Sequence, residues 1–192
     1  MEIILIRHGK SAWQKRGWLT PAQFAQWVAA YDAHGISVVD PIPERTLQRI
    51  KQANIVITSP LPRALCSAQR LLPACLVEEN ELFREVDTPI PFLHLHFLRL
   101  PVQLWLIFAR LCWFLGYARG VESRQQAIIR AKKACDLLIQ YAEKYGTVVV
   151  VGHGWFHRFV GRELEKRGWK RTVSKRTAHW YACSYTVSSF DC

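Results

Sequence analysis

Acidic residues are scarce in this sequence, and internal repeats, low-complexity linkers and paired-cysteine motifs are missing from it. Only 15 Asp and Glu stand against 26 Lys and Arg, a formal net charge of +11. That imbalance points to anionic partners: a phosphorylated substrate, an acidic membrane face or nucleic acid. The six cysteines (Cys66, Cys75, Cys112, Cys135, Cys183 and Cys192) form no CxxC pair and no zinc-finger spacing. They argue against a metal module and read as scattered small hydrophobes of a reducing cytoplasm. No signal-peptide pattern opens the chain, since Glu2 follows Met1 and a strand pattern begins at once, so a cytoplasmic location is expected. With 50% hydrophobic and 21% charged residues the chain is neither disordered nor fibrous, and 192 residues are most simply one domain. Part of the positive excess lies in "GRELEKRGWKRTVSKR", which holds seven cations and two anions and reads as a solvated basic face. It carries no recognised nucleic-acid motif, so nucleic acid is not an expected partner.

What the sequence does contain is an alternation of strands and helices. Ile3 to Ile6 form a continuous apolar run, the pattern of a strand buried on both faces. Thr20-Pro21 opens a helix to about Ala33, a capping residue followed by proline at the first position. A short helix over about Pro43–Lys51 leads to a second strand at Ile55–Ile57. "SPLPRALCSAQRLL" reads as a turn and a helix, and "ACLVE" as a third strand. A long helix is expected from about Glu122 to Tyr145, then the strand "TVVVV", another helix, and a last strand or hairpin in "TAHWYACSYTVSSF". This order predicts an α/β domain with a largely parallel sheet.

Three strand ends carry matching chemistry. Ile6 gives way to Arg7-His8-Gly9, Ile57 to "TSPLPRA" with Arg63 in the first turn of a helix, and Val151 to Gly152-His153-Gly154. In such sheets ligands sit beyond the carboxyl ends of the strands, so two histidines and two arginines converge on one crevice. Arginine's planar fork suits the oxygens of a phosphate, and helix N-termini add N–H groups for an anion. A neutral histidine there can attack phosphorus and carry the phosphoryl group.

The stretches "LIRHGKS", "ITSPLPRALCSA" and "VVVVGHGWFHRF" together resemble the histidine phosphatase superfamily, with its phosphoglycerate-mutase-like α/β fold. The resemblance implies a single-domain three-layer sandwich with its site at the carboxyl ends of the strands. It implies His8 as the phosphorylated nucleophile, and Arg7, Arg63 and His153 as the rest of a phosphate pocket. Ser11 matches a Ser or Thr of the family that places a hydroxyl near the phosphate. The proton donor for the leaving oxygen is expected in "ENELFREVDTP": Glu85 fits, with Asp87 in reserve, and an apolar, partly buried setting would hold its proton. Lys10 departs from the Glu or Gln usual after Arg-His-Gly, and as a third cation at the mouth it would favour a more anionic substrate. The apolar continuation "VDTPIPFLHLHF" is unlike the polar substrate-binding stretch of mutases, so a phosphatase acting on a phosphorylated small molecule or protein is the expectation. The chemistry of the family needs no cofactor or metal. Arg158, after the last motif, reads as structural.

An apolar helical insertion is expected at about 88–120. From Leu104 to Leu115 its only charge is Arg110, and a helix would line up Arg99, Gln103, Arg110 and Tyr117 on one stripe. A single membrane span would put Glu85 and His153 on opposite sides of a bilayer, so the site could not assemble. A cap over the pocket, a homodimer face, or peripheral membrane contact through residues 97–118 all fit a large apolar surface. His94 and His96 alternate with apolar residues, which would place both on one face of an extended piece. No third metal ligand accompanies them.

Overall fold

A computed structural model describes residues 1–73, 77–92, 94–172 and 178–187. Strand β1 (Glu2–Arg7) carries four consecutive buried residues, because both of its faces meet helices. The same holds for β3 (Ile55–Thr58) and β6 (Thr147–Gly152). With β2 (Trp18–Leu19), β4 (Val77–Glu79), β5 (Leu100–Pro101), β7 (Lys170–Arg171) and β8 (Ala182–Thr186), the strands form two sheets. The main sheet has the order β4-β3-β6-β1-β8-β7, with β4, β3, β6 and β1 parallel, β8 antiparallel to β1, and β7 at the edge antiparallel to β8. β2 and β5 pair separately. The expected α/β three-layer arrangement is thus present. Of the strand expected in "ACLVE", residues 74–76 lie outside the described residues.

The helices are α1 (Pro21–Ala33), α2 (Glu44–Ile50), α3 (Pro62–Leu71), α4 (Val102–Phe114), α5 (Arg124–Tyr145) and α6 (Gly154–Lys166). Side chains alternate across each strand, so one set faces α5 and α6 and the other faces α2 and α3. Ile3, Leu5, Ile57, Val148 and Val150 pack with Ala134, Leu138, Phe156 and Val160. Ile4, Ile6, Val56, Val149 and Val151 pack with Ile50, Ala68 and Leu71. α4 joins Phe24 and Trp27 of α1 in a third cluster through Val102, Trp105 and Ala109. Two reciprocal caps fix helix starts: Thr20 with Gln23 at α1, and Ser123 with Gln126 at α5.

Two local expectations fail. Residues 94–97 lie in turns rather than an extended piece, with Leu95 N–H bonded to the Phe92 carbonyl and Leu98 N–H to that of Leu95, so His94 and His96 do not share a strand face. The polar stripe on α4 also dissolves, because Arg99 precedes the helix and Tyr117 follows it. Pro101 stands at the N-cap position, immediately before Val102.

Candidate active site

The carboxyl ends of β1, β3 and β6 open onto a cleft of about 550 Å³ whose walls include Arg7, His8, Arg63, Glu85 and Arg110. His8 leaves β1 with its N–H on the Gly152 carbonyl (2.9 Å), so it sits on the seam between β1 and β6. Its Nδ1 is 2.7 Å from the Gly9 carbonyl oxygen. A carbonyl can only accept, so Nδ1 carries the hydrogen and, in the neutral ring, Nε2 keeps its lone pair. Burial pushes the His8 imidazole well below its ordinary value, and the Arg63 cation pushes the same way. The ring is therefore neutral near pH 7.

His153, at the start of α6, stands with its ring centroid 5.1 Å from that of His8. Its Nε2 lies 2.8 Å from the Ser59 hydroxyl. Burial first, and Arg63 second, hold it neutral as well. Arg63 is 1% exposed and is fixed by Asp32 (2.9 Å) and by the face of Tyr31, 4.5 Å from its guanidinium carbon. Arg7 is half-buried, and its partial desolvation pulls its guanidinium below its ordinary value without removing the charge. Two desolvated cations beside two neutral imidazoles form a pocket for an anion.

Glu85 closes the opposite wall. Its carboxylate accepts from the Val86 N–H (3.0 Å), the Phe156 N–H (2.9 Å) and the Trp155 N–H (3.4 Å), the last two at the N-terminal turn of α6. Polar backbone donors thus surround it where an apolar setting was expected. Among the described residues Glu85 makes no ion pair: Arg63 goes to Asp32, and Arg84 goes to Asp87 (2.6 Å). Asp87 accepts in addition from the Glu122 N–H (2.8 Å). The loop bearing both acids is clamped by Arg130, which forks onto Glu122 (2.8 and 2.6 Å) and donates to the Leu82 and Arg84 carbonyls.

Lys10 and Ser11 are not among the described residues that line the cleft. Lys10 is exposed, with its N–H on Asp40 (2.6 Å). Ser11 is buried in a bridge to Ile36, and its hydroxyl accepts from the Trp13 N–H (3.1 Å). After Gly9 the chain pairs with residues 35–37, the Ser37 N–H on the Lys10 carbonyl (2.8 Å) and the Ala12 N–H on the Gly35 carbonyl (3.0 Å), which holds both residues against that segment. Gly9 itself is required by a close approach to Trp180: a Cβ there would lie 2.2 Å from the indole Cζ2. Arg158 lies 4.3 Å over the Trp155 ring and lines a second cavity of about 270 Å³ with Arg7, Arg162 and Arg171.

Sequence reading missed three contributors. The His179 ring lies tilted at 48° with its centroid 5.5 Å from that of His8, and its Nδ1 is 3.1 Å from the His8 carbonyl oxygen. Ser59 and Asp32 orient His153 and Arg63. Ser59 directly follows the end of β3 and was legible by position, whereas Asp32 and His179 gave no signal. No group of three His, Cys, Asp or Glu suited to a metal occurs among the described residues.

The model of the histidine phosphatase superfamily (branch 1) matches residues 3–191. No curated protein matches. Among solved structures, the product of open reading frame Rv3214 from Mycobacterium tuberculosis shares 18% identity, with a TM-score of 0.64 and coverage of 98% of this chain and 92% of that one. The phosphoserine phosphatase of Entamoeba histolytica shares 19% identity at TM-score 0.59, over 98% and 95% of the two chains. The mycobacterial glucosyl-3-phosphoglycerate phosphatase shares 18% at TM-score 0.57, over 86% and 79%. These likenesses concern the fold, and the family match spans nearly the whole sequence. The chain belongs to the histidine phosphatase superfamily, branch 1.

Proposed function

We propose that the protein hydrolyses phosphomonoesters through a phosphohistidine formed on His8. The observation that carries this reading is the state of His8: neutral by burial, with Nδ1–H held by Gly9 and Nε2 left as a nucleophile beside Arg7 and Arg63. In the first step Nε2 attacks phosphorus while the ester P–O bond breaks, and Glu85 gives a proton to the leaving oxygen. Arg7, Arg63 and His153 bind the equatorial oxygens as charge redistributes. In the second step water attacks the phosphoryl group, the N–P bond breaks, the water proton returns to Glu85, and His8 is restored. This balance needs neither metal nor redox partner. Small phosphorylated molecules and phosphohistidine proteins are both substrates of this chemistry.

The test is phosphate release from an aryl phosphate and a panel of phosphorylated metabolites. His8→Ala is expected to lose about a thousandfold or more in kcat/KM while keeping the fold. Turnover that survives the substitution, or a wild-type chain that releases phosphate from no ester, overturns the reading.

A further inference from the structure

α4 carries apolar side chains on both its inner and its outer face, with Gln103 and Arg110 as its polar exceptions. Val102, Trp105, Ala109 and Trp113 are buried, as a core-facing stripe should be. The opposite stripe of a surface helix is ordinarily polar. Here it is Leu104 (49% exposed), Ile107 (57%), Leu111 (55%) and, just past the helix, Leu115 (88%). The apolar surface continues at the helix start: Phe97 is 83% exposed, and Trp18 (68%) lies cross-strand from Pro101. An apolar surface of this extent marks an interaction.

The charge around it indicates the occupant. From Thr88 to Val121 the chain has Arg99, Arg110 and Arg119 and no Asp or Glu; from Lys10 to Leu19 it has Lys10, Lys15 and Arg16 and again no acid. Arg110 turns into the cleft, while Arg99, Arg119, Lys15 and Arg16 are exposed around the apolar face. Two copies meeting through this face would bring like charges together, whereas an anionic lipid surface supplies the opposite sign. Thirteen residues of helix span about 20 Å against a hydrocarbon core of about 30 Å. No helix among the described residues is long and apolar enough to cross a membrane. A short helix with an apolar outer face and a cationic rim lies in the interface plane. The same helix lends Leu106 and Arg110 to the cleft wall, so whatever it rests on is beside the mouth.

We propose that the outer face of α4 docks on anionic lipid, and that the cleft acts there on phosphomonoesters carried by lipids. The docking half stands alone, and the substrate half rests on the phosphatase reading above. The experiment uses the full chain with phosphatidylcholine vesicles, with or without phosphatidylglycerol, by co-sedimentation. Binding is expected only with phosphatidylglycerol and is released by salt. Ile107→Glu with Leu111→Glu should weaken it by more than about tenfold, and Arg99→Gln or Arg119→Gln by about fivefold each. Both Glu substitutions fall on exposed positions outside the cleft, so hydrolysis of a soluble aryl phosphate should be unchanged.

A chain that stays in the supernatant overturns the docking. So does a dimer in light scattering that the double variant converts to monomer, since the face then belongs to a second copy. Phosphatidic acid placed in the same vesicles should be hydrolysed by the wild type and much more slowly by the double variant. Hydrolysis of the aryl phosphate alone, by a vesicle-bound enzyme, overturns the lipid-substrate half. Vesicle binding with no phosphate released from either ester refutes the phosphatase reading and leaves the docking in place.

Discussion

His157 makes the fold sensitive to acid in a way that can be calculated. Its Nε2 is buried with no hydrogen-bond partner among the described residues, packed so closely on Gly152 that a Cβ there would lie 2.7 Å away. Burial, helped by the Arg7 cation, brings its pKa down from 6.5 to about 3. In the unfolded chain the ring takes up its proton as pH falls through about 6.5, while the folded ring stays neutral until about pH 3. Below 6.5 the unfolded state therefore binds one more proton, and stability falls with pH until it levels off below 3. At pH 5 the interval is 1.5 units, which at about 1.36 kcal/mol per unit is about 2 kcal/mol. For a chain of this length that corresponds to about 4 to 8 °C in Tm. His8 and His153 shift in the same direction and add to the acid limb of the wild type. The assay isolates His157 by comparing wild type with His157→Leu in thermal melts at pH 7.5 and pH 5. The packing change cancels in the difference between the two pH values, so the variant should lose about 2 kcal/mol less than the wild type on acidification. Equal losses in the two proteins would refute a buried, neutral His157.

Two further substitutions test the scaffold of the site. Gly9→Ala drives a methyl group into Trp180, whose indole is held by Asp40 at 2.6 Å, and should cost about 3 kcal/mol; an unchanged Tm would contradict the close approach. Asp32→Asn keeps the size and removes the charge that anchors Arg63. With Asp32 46% exposed, the pair is worth about 1 kcal/mol, so kcat/KM should fall about fivefold, and full activity would show that Arg63 holds its place without it.

Local signals were enough for much of this molecule. The cap and proline at Thr20-Pro21 set the start of α1, and the expected and observed helix both end at Ala33. Unbroken apolar runs marked β1, β3 and β6 because a strand covered on both faces has no polar side to show. A parallel sheet brings the carboxyl ends of its strands to one edge. Arg7, His8, Arg63 and His153 could therefore be placed together from strand ends alone, without knowing any contact.

The remainder depended on residues distant in sequence. Asp32 anchors Arg63, His179 packs beside His8, and Arg130 clamps the loop bearing Glu85 and Asp87; no periodicity records such pairs. Sequence preferred Glu85 and kept Asp87 in reserve by resemblance alone, and their physical difference comes from what folds against them, the N-terminal turn of α6 for one and Arg84 for the other. The reason Gly9 must be glycine is an indole from the far end of the chain. The apolar composition of α4 was plain, but which stripe it buries depends on α1 and on the pairing of β2 with β5. The sequence by itself determined the layers and the strand-end chemistry, since both follow from short-range pattern. The tertiary structure decided partners, charge states and exposed faces, because burial and electrostatics depend on whatever lies within a few ångströms, however far apart along the chain.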